Sequence, residues 1–148
     1  MAAAIAAVML VTAPPLAIAA AARGTLPGDP IAVLLVMVTD VVFFGLFAGA
    51  GIYCRHRPET HKRFMLLATL SLLPPAVSRW PIADAHPALV TVPMPLLLAT
   101  APLNDLRRHR RPHPVSLWGG IAYLASIPVR FAVAATPAWH HLARWLIR

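Results

Sequence analysis

Charge is the scarcest ingredient of this sequence. Only 12% of its 148 residues are charged, and only five of those are acidic, where ordinary soluble domains are roughly a quarter charged. A disordered chain needs low hydrophobicity and high charge; here 59% of residues are hydrophobic and the mean hydropathy is +0.69. A soluble globule of this length has more surface than so few charges can cover. Cysteine is nearly missing as well. Cys54 stands alone, which excludes an intramolecular disulfide and any cysteine-built zinc site. The five acids form no pair suited to carboxylate catalysis. There is no glycine-rich phosphate loop, no H-E-x-x-H and no G-x-S-x-G. No internal repeat supports an inverted-repeat transporter within the chain. These absences leave an integral membrane protein, read as an all-α polytopic bundle forming one transmembrane domain over residues 1–148, with no catalytic residues and no metal site expected.

Five hydrophobic stretches can be drawn, at 2–22, 31–54, 64–80, 88–103 and 115–138, with an interfacial tail at 139–148. A helix needs about 20 residues to cross ~30 Å of hydrocarbon. The second and fifth stretches reach that length; the third and fourth are short and must borrow flanking residues or sit where the bilayer thins. The expectation is therefore four to five spans. Residues 2–22 are read as a retained span, with a cleaved signal peptide or the end of a longer helix as the alternatives. Sixteen prolines are about twice ordinary usage. Half of them, Pro14, Pro15, Pro74, Pro75, Pro93, Pro95, Pro102 and Pro128, fall inside apolar runs. Kinked helices follow, whose freed carbonyls need partners from neighbouring helices.

What charge there is sits in two places. Arg55, Arg57, Lys62 and Arg63 lie in 55–63, and Arg107, Arg108, Arg110 and Arg111 lie in 104–114. The segments between the other stretches hold Arg23 with Asp29 and Asp84. The positive-inside rule places the two basic loops in the cytoplasm, against anionic headgroups, with the N-terminus inside and the C-terminus outside. The net charge of +8 is then a topology signal; the basic loops lack interleaved aromatics, so nucleic acid is not expected as a partner. Twelve of the thirteen cations are Arg, which with heavy Ala usage fits a bacterial source and its inner membrane. Gly45 and Gly49 form a small-xxx-small ridge for packing within the bundle or for a homodimer. In the tail, Trp139, Leu142, Trp145 and Leu146 share one helical face and His140, His141, Arg144 and Arg148 the other, the pattern of an interfacial helix.

Asp40 and Arg130 fall deep inside their stretches, and Arg79 lies at the end of the third. A charge near mid-bilayer costs at least ~2.5–3.5 kcal/mol. Asp40 and Arg130 sit at similar depth below the outer ends of their stretches, at 1.5 Å per residue, which predicts an ion pair with Arg79 nearby. Its role is either to fix helix register or to serve as a substrate or proton site. His61 and His113, one in each basic loop, are candidate haem ligands, against the plainer reading of headgroup contact and capping. Asp105, beside Asn104, is expected to accept from Arg107 or Arg108 or to cap its turn.

The blocks HKRFMLLATLSLL (61–73) and NDLRRHRRPHPVSLWGG (104–120), followed by Pro128-Val129-Arg130, resemble an uncharacterised family of bacterial multi-pass inner-membrane proteins with an H-K-R-x-M-L-L block and a D-L…H-P…G-G block. The resemblance covers residues 55–145. It marks His61, Lys62, Arg79, Asp105, His113 and Arg130, and implies a helical inner-membrane protein without established activity. The Pro74-Pro75 pair departs from the pattern. The function expected is a non-catalytic membrane or assembly component without a cofactor. A small transporter or channel using Asp40 and Arg130, and a haem- or quinone-associated redox subunit using His61 and His113, are the alternatives.

Overall fold

The structure, a computed structural model, describes residues 2–23, 29–77 and 93–147. The described residues are all-α, with no strand among them. Seven helices are present among them: α1 (Ala2–Ala22), α2 (Pro30–Tyr53), α3 (Pro58–Ser71), the single-turn α4 (Leu73–Val77), α5 (Pro93–His109), α6 (Pro114–Ala134) and α7 (Pro137–Ile147).

Much of the proline content marks where helices begin. Pro30, Pro58, Pro114 and Pro137 each occupy the first helical position, where a missing N–H costs nothing and φ is already suitable. In three cases the preceding side chain caps the helix by accepting a backbone N–H. Asp29 Oδ1 accepts from Ile31 at 3.0 Å, His113 Nδ1 from Val115 at 3.2 Å, and Thr136 Oγ1 from Trp139 at 3.4 Å. The Asp-Pro, His-Pro and Thr-Pro steps are thus helix starts written into the sequence.

Among the described residues two helices, α2 with 24 residues and α6 with 21, are long and apolar enough to cross a membrane; at 1.5 Å per residue they measure about 36 and 32 Å. In α1 the apolar helix runs over Ala7–Ala22, short of that length. The expected stretch 64–80 is corrected. Helix α3 ends at Ser71, because Pro74 and Pro75 cannot donate to the carbonyls of Leu70 and Ser71 and disfavour helix in the residue before them. Residues 78–80 lie outside the described residues, as do 88–92 of the fourth stretch. The fifth stretch stops at Ala134, and Thr136 starts a new helix three residues before the expected tail. The two basic loops are also shorter than expected. His61, Lys62 and Arg63 lie on α3 and Arg107 on α5, since Pro58 and Glu59 start α3 early and suit its positive N-terminal end.

The chain divides into two compact units, Met1–Val42 with Ala125–Arg148 and Phe43–Leu124. In the first, Ala21 of α1, Leu34 of α2 and Ala143 of α7 form the core, flanked by Ala17, Ile18, Ile31, Val38 and Trp139. The buried face of α7 is therefore Trp139 and Ala143, one turn apart, with Leu142 and Trp145 exposed. Of the expected Trp139–Leu142–Trp145–Leu146 face, Trp139 packs on this core while Leu142 and Trp145 stay exposed; Ala143, with no bulk beyond Cβ, lets α7 approach Leu34 closely. The Trp139 indole N–H donates to the Ile31 carbonyl at 2.9 Å.

In the second unit Phe47, Ala48, Leu67, Ala68, Leu70, Leu98 and Tyr123 are buried. Tyr123 meets Phe43 edge to face, ring centroids 5.4 Å apart, a favoured aromatic geometry. Its hydroxyl donates to the Ser71 carbonyl at 3.5 Å. That carbonyl is the one Pro75 leaves without its helical donor, so α6 supplies what the proline removed. At Gly119 a Cβ would overlap the Leu67 side chain, and at Gly51 it would lie 3.1 Å from Met65 Sδ. An alanine at Gly119 would require Leu67 to move, and one at Gly51 would require Met65 to give by a few tenths of an ångström. Gly49 is different, as a Cβ there meets nothing within 4 Å.

Candidate functional site

In the first unit, α2 carries Asp40 and α6 carries Arg130, both into the interior. Asp40 is 0% exposed and Arg130 6%. The Arg130 Nη1 donates to Asp40 Oδ1 as a buried ion pair. Six residues before Asp40, Leu34 is fully buried, and Thr39 returns its hydroxyl to the Leu35 carbonyl at 2.7 Å, satisfying a polar side chain within its own helix. The pair has a plain chemical capacity: it holds two opposite charges out of water, each the condition for the other's burial. Arg79 lies outside the described residues.

The second unit contains an ion-pair junction that the sequence reading placed differently. Asp105, on α5, does not take Arg107 or Arg108 as its partner. It accepts from Arg63 of α3, both as an ion pair at Oδ1 and from Nε at 3.3 Å to Oδ2. The His113 amide donates to the same Oδ2 at 3.1 Å. Asp105 therefore ties α3, α5 and the start of α6 together. Burial pushes its carboxyl up, but the His113 amide and then the Arg63 guanidinium outweigh it and hold the carboxyl below its usual range. Arg63 also reaches Glu59 at 3.0 Å, and Lys62 meets Glu59 at 3.3 Å. Those two hydrogen bonds, Arg63 first, hold the exposed Glu59 carboxyl low. Of the eight loop cations, Lys62 and Arg63 are thus engaged in ion pairs within the protein. The separation of 42 residues between Arg63 and Asp105 hid this contact from any local pattern.

His61 and His113 take opposite ring states. His61 Nδ1 donates to the Gly51 carbonyl at 2.7 Å, leaving Nε2 as the lone-pair nitrogen; metal-bound histidines are oriented in this way. His113 Nδ1 accepts from the Val115 amide, so in the neutral ring Nε2 carries the proton. Among the described residues no group of three or more His, Cys, Asp and Glu is placed to hold a metal ion.

The remaining basic residues face outward. Arg55 donates to His56 Nε2 at 3.1 Å, and Arg57, Arg107, Arg110 and Arg111 are exposed; the Arg108 side chain lies outside the described residues. Arg110 has φ +54°, the left-handed conformation that a residue just past a helix end adopts and that glycine or asparagine normally fills. Its amide closes α5 onto the Leu106 carbonyl at 3.0 Å. Set against known proteins, the sequence matches no family model, no curated protein and no solved structure.

Proposed function

We propose that this chain is a non-catalytic component of a bacterial inner membrane, a multi-pass bundle of four to five spans with its basic segments in the cytoplasm, its N-terminus inside and its C-terminus outside. The observation that carries the reading is the buried ion pair between Asp40 and Arg130 on the two span-length helices. Charges withdrawn this far from water are costly in a span and need a reason. A pair in direct contact supplies one: sliding either helix by a residue separates the charges and strands both, so the pair fixes register. The basic segments at 55–63 and 104–114 point the same way. Gly45 and Gly49 offer a ridge for a second copy, with Gly49 open.

The second reading, a small transporter or channel, is favoured by the same carboxylate, since an acid inside a span is a common proton or substrate site. The third, a haem-associated subunit, fits the ring state of His61. It would require His113 to give up its cap on Val115 before its ring could serve as a second ligand.

Flux measurements on proteoliposomes separate the first two. The register role predicts no ion or solute flux that Asp40→Asn removes; an Asp40-dependent flux overturns it in favour of transport. An absorption spectrum after expression with haem supply decides the third: the proposal expects no Soret band, and a band lost in His61→Ala overturns it.

A further inference from the structure

The second unit carries a groove that neither ion pair explains. It has a volume of about 330 Å³ and is lined by Ala99, Pro102, Leu103, Leu106, Pro112 and Leu117, all apolar. The first four recur at three- and four-residue spacing, so they form one face of α5. That face spans about 10 Å from Ala99 to Leu106. Its end is basic. Arg107 and Arg110 follow Leu106, and Arg111 immediately precedes Pro112; all three are exposed. Among the described residues none of the three has an ion-pair partner, whereas Arg63 and Lys62 do. Arg110 holds its place at a cost. A left-handed backbone at a non-glycine residue is worth roughly 1–2 kcal/mol of strain, and strain of this kind concentrates where it serves a function.

An apolar groove whose lining residues Leu106 and Pro112 are flanked in sequence by three exposed arginines without ion pairs suits a lipid: hydrocarbon along the groove, phosphate at the arginines. A protein partner fits poorly, because a stable interface buries about 800 Å² per side, far more than six small apolar side chains offer. We infer that the groove and Arg107, Arg110 and Arg111 bind one anionic phospholipid, with an acyl chain along α5 and the headgroup phosphate on the arginines. The inference rests on the membrane reading and names the lipid that the cytoplasmic face selects.

The test uses the full-length chain, extracted from membranes in mild detergent and titrated with phosphatidylglycerol, with phosphatidylcholine of the same acyl chains, and with inorganic phosphate. Bound species are read by native mass spectrometry. The expected result is one retained phosphatidylglycerol, in preference to phosphatidylcholine and undisturbed by phosphate. Each guanidinium lost should lower that preference about fivefold, which is what roughly 1 kcal/mol per basic residue near an anionic surface amounts to. R110Q/R111Q should therefore lower it about 25-fold. Ala99→Phe, which fills the groove and leaves every charge in place, should abolish retention of both lipids. An unchanged preference in R110Q/R111Q overturns the inference. So does competition by inorganic phosphate with no effect of Ala99→Phe, which marks a free-anion site, or a dimer that Ala99→Phe disperses. Alkaline carbonate extraction keeps the two readings apart. A chain that stays in the membrane pellet without lipid preference removes only the lipid site; a chain released to the supernatant removes the membrane reading with it.

Discussion

Removing one member of the Asp40–Arg130 pair should be far more damaging than removing both. Asp40 is 0% exposed and Arg130 6%, so no water is at hand to solvate a charge left behind. Asp40→Asn keeps the shape of the side chain and strands the guanidinium, which stays protonated at any accessible pH. Stranding one charge of a buried pair costs about 3–5 kcal/mol, while replacing both by apolar groups of similar volume is often neutral or better. Asp40→Asn, Asp40→Leu and Arg130→Met should each cost that amount, and Asp40→Leu with Arg130→Met about zero. The coupling across the Asp40→Leu and Arg130→Met cycle is then about 6–10 kcal/mol, above the ~1.7 kcal/mol ceiling measured for hydrogen bonds between membrane helices. At roughly 2–4 °C per kcal/mol for a chain of this size, each single variant lowers Tm by about 6–20 °C. Unfolding in detergent can be followed by tryptophan fluorescence, because Trp139 is bonded to Ile31 in the core of the same unit. A coupling below about 1 kcal/mol, or a double variant as unstable as the singles, refutes the reasoning.

Three further outcomes follow from the packing. Asp105→Asn should destabilise by about 1.5–3 kcal/mol, the range for hydrogen bonds to a charged group, and the loss should depend on pH: the folded carboxyl titrates below its ordinary value of 3.8, so its contribution is complete above about pH 4 and fades as pH falls through the folded value. Thermal melts of both proteins should therefore converge below pH 4, and a constant gap would contradict the assignment. Gly119→Ala should cost about 1–3 kcal/mol by overpacking Leu67, whereas Gly120→Ala, with nothing within 4 Å of its Cβ, should be neutral or stabilise by up to ~1 kcal/mol; equal effects in chemical denaturation would contradict the contact. Trp139→Phe removes one hydrogen bond to Ile31 and should cost about 1 kcal/mol, seen as earlier protease cleavage within α7.

The parts of the molecule legible in the sequence are those set by local pattern. The bounds of α1 and α2 follow from apolar runs flanked by polar residues, and the Asp40–Arg130 pair follows from matching depth along two such runs. Other contacts between distant segments were not legible. Asp105 has arginines two and three positions away, yet its partner is Arg63, because the crossing of α3 and α5 places that guanidinium at the carboxylate. Tyr123 gave no signal either: its role depends on where Pro75 leaves a carbonyl open on another helix. The packing of α7 through Ala143 gave no signal, because hydrophobicity ranks Trp145 and Leu142 above Ala143, whereas close approach of helices selects the smallest residue.

The central claim is that the chain crosses a membrane with its basic segments inside, and single-cysteine labelling in intact cells tests it most directly. In a Cys54→Ser background, a cysteine at Arg57 or Arg111 should react with a membrane-impermeant maleimide only after permeabilisation, and one at Asp29 or Thr136 should react without it. Equal labelling of all four sites in intact cells, or the reverse pattern, would contradict the account.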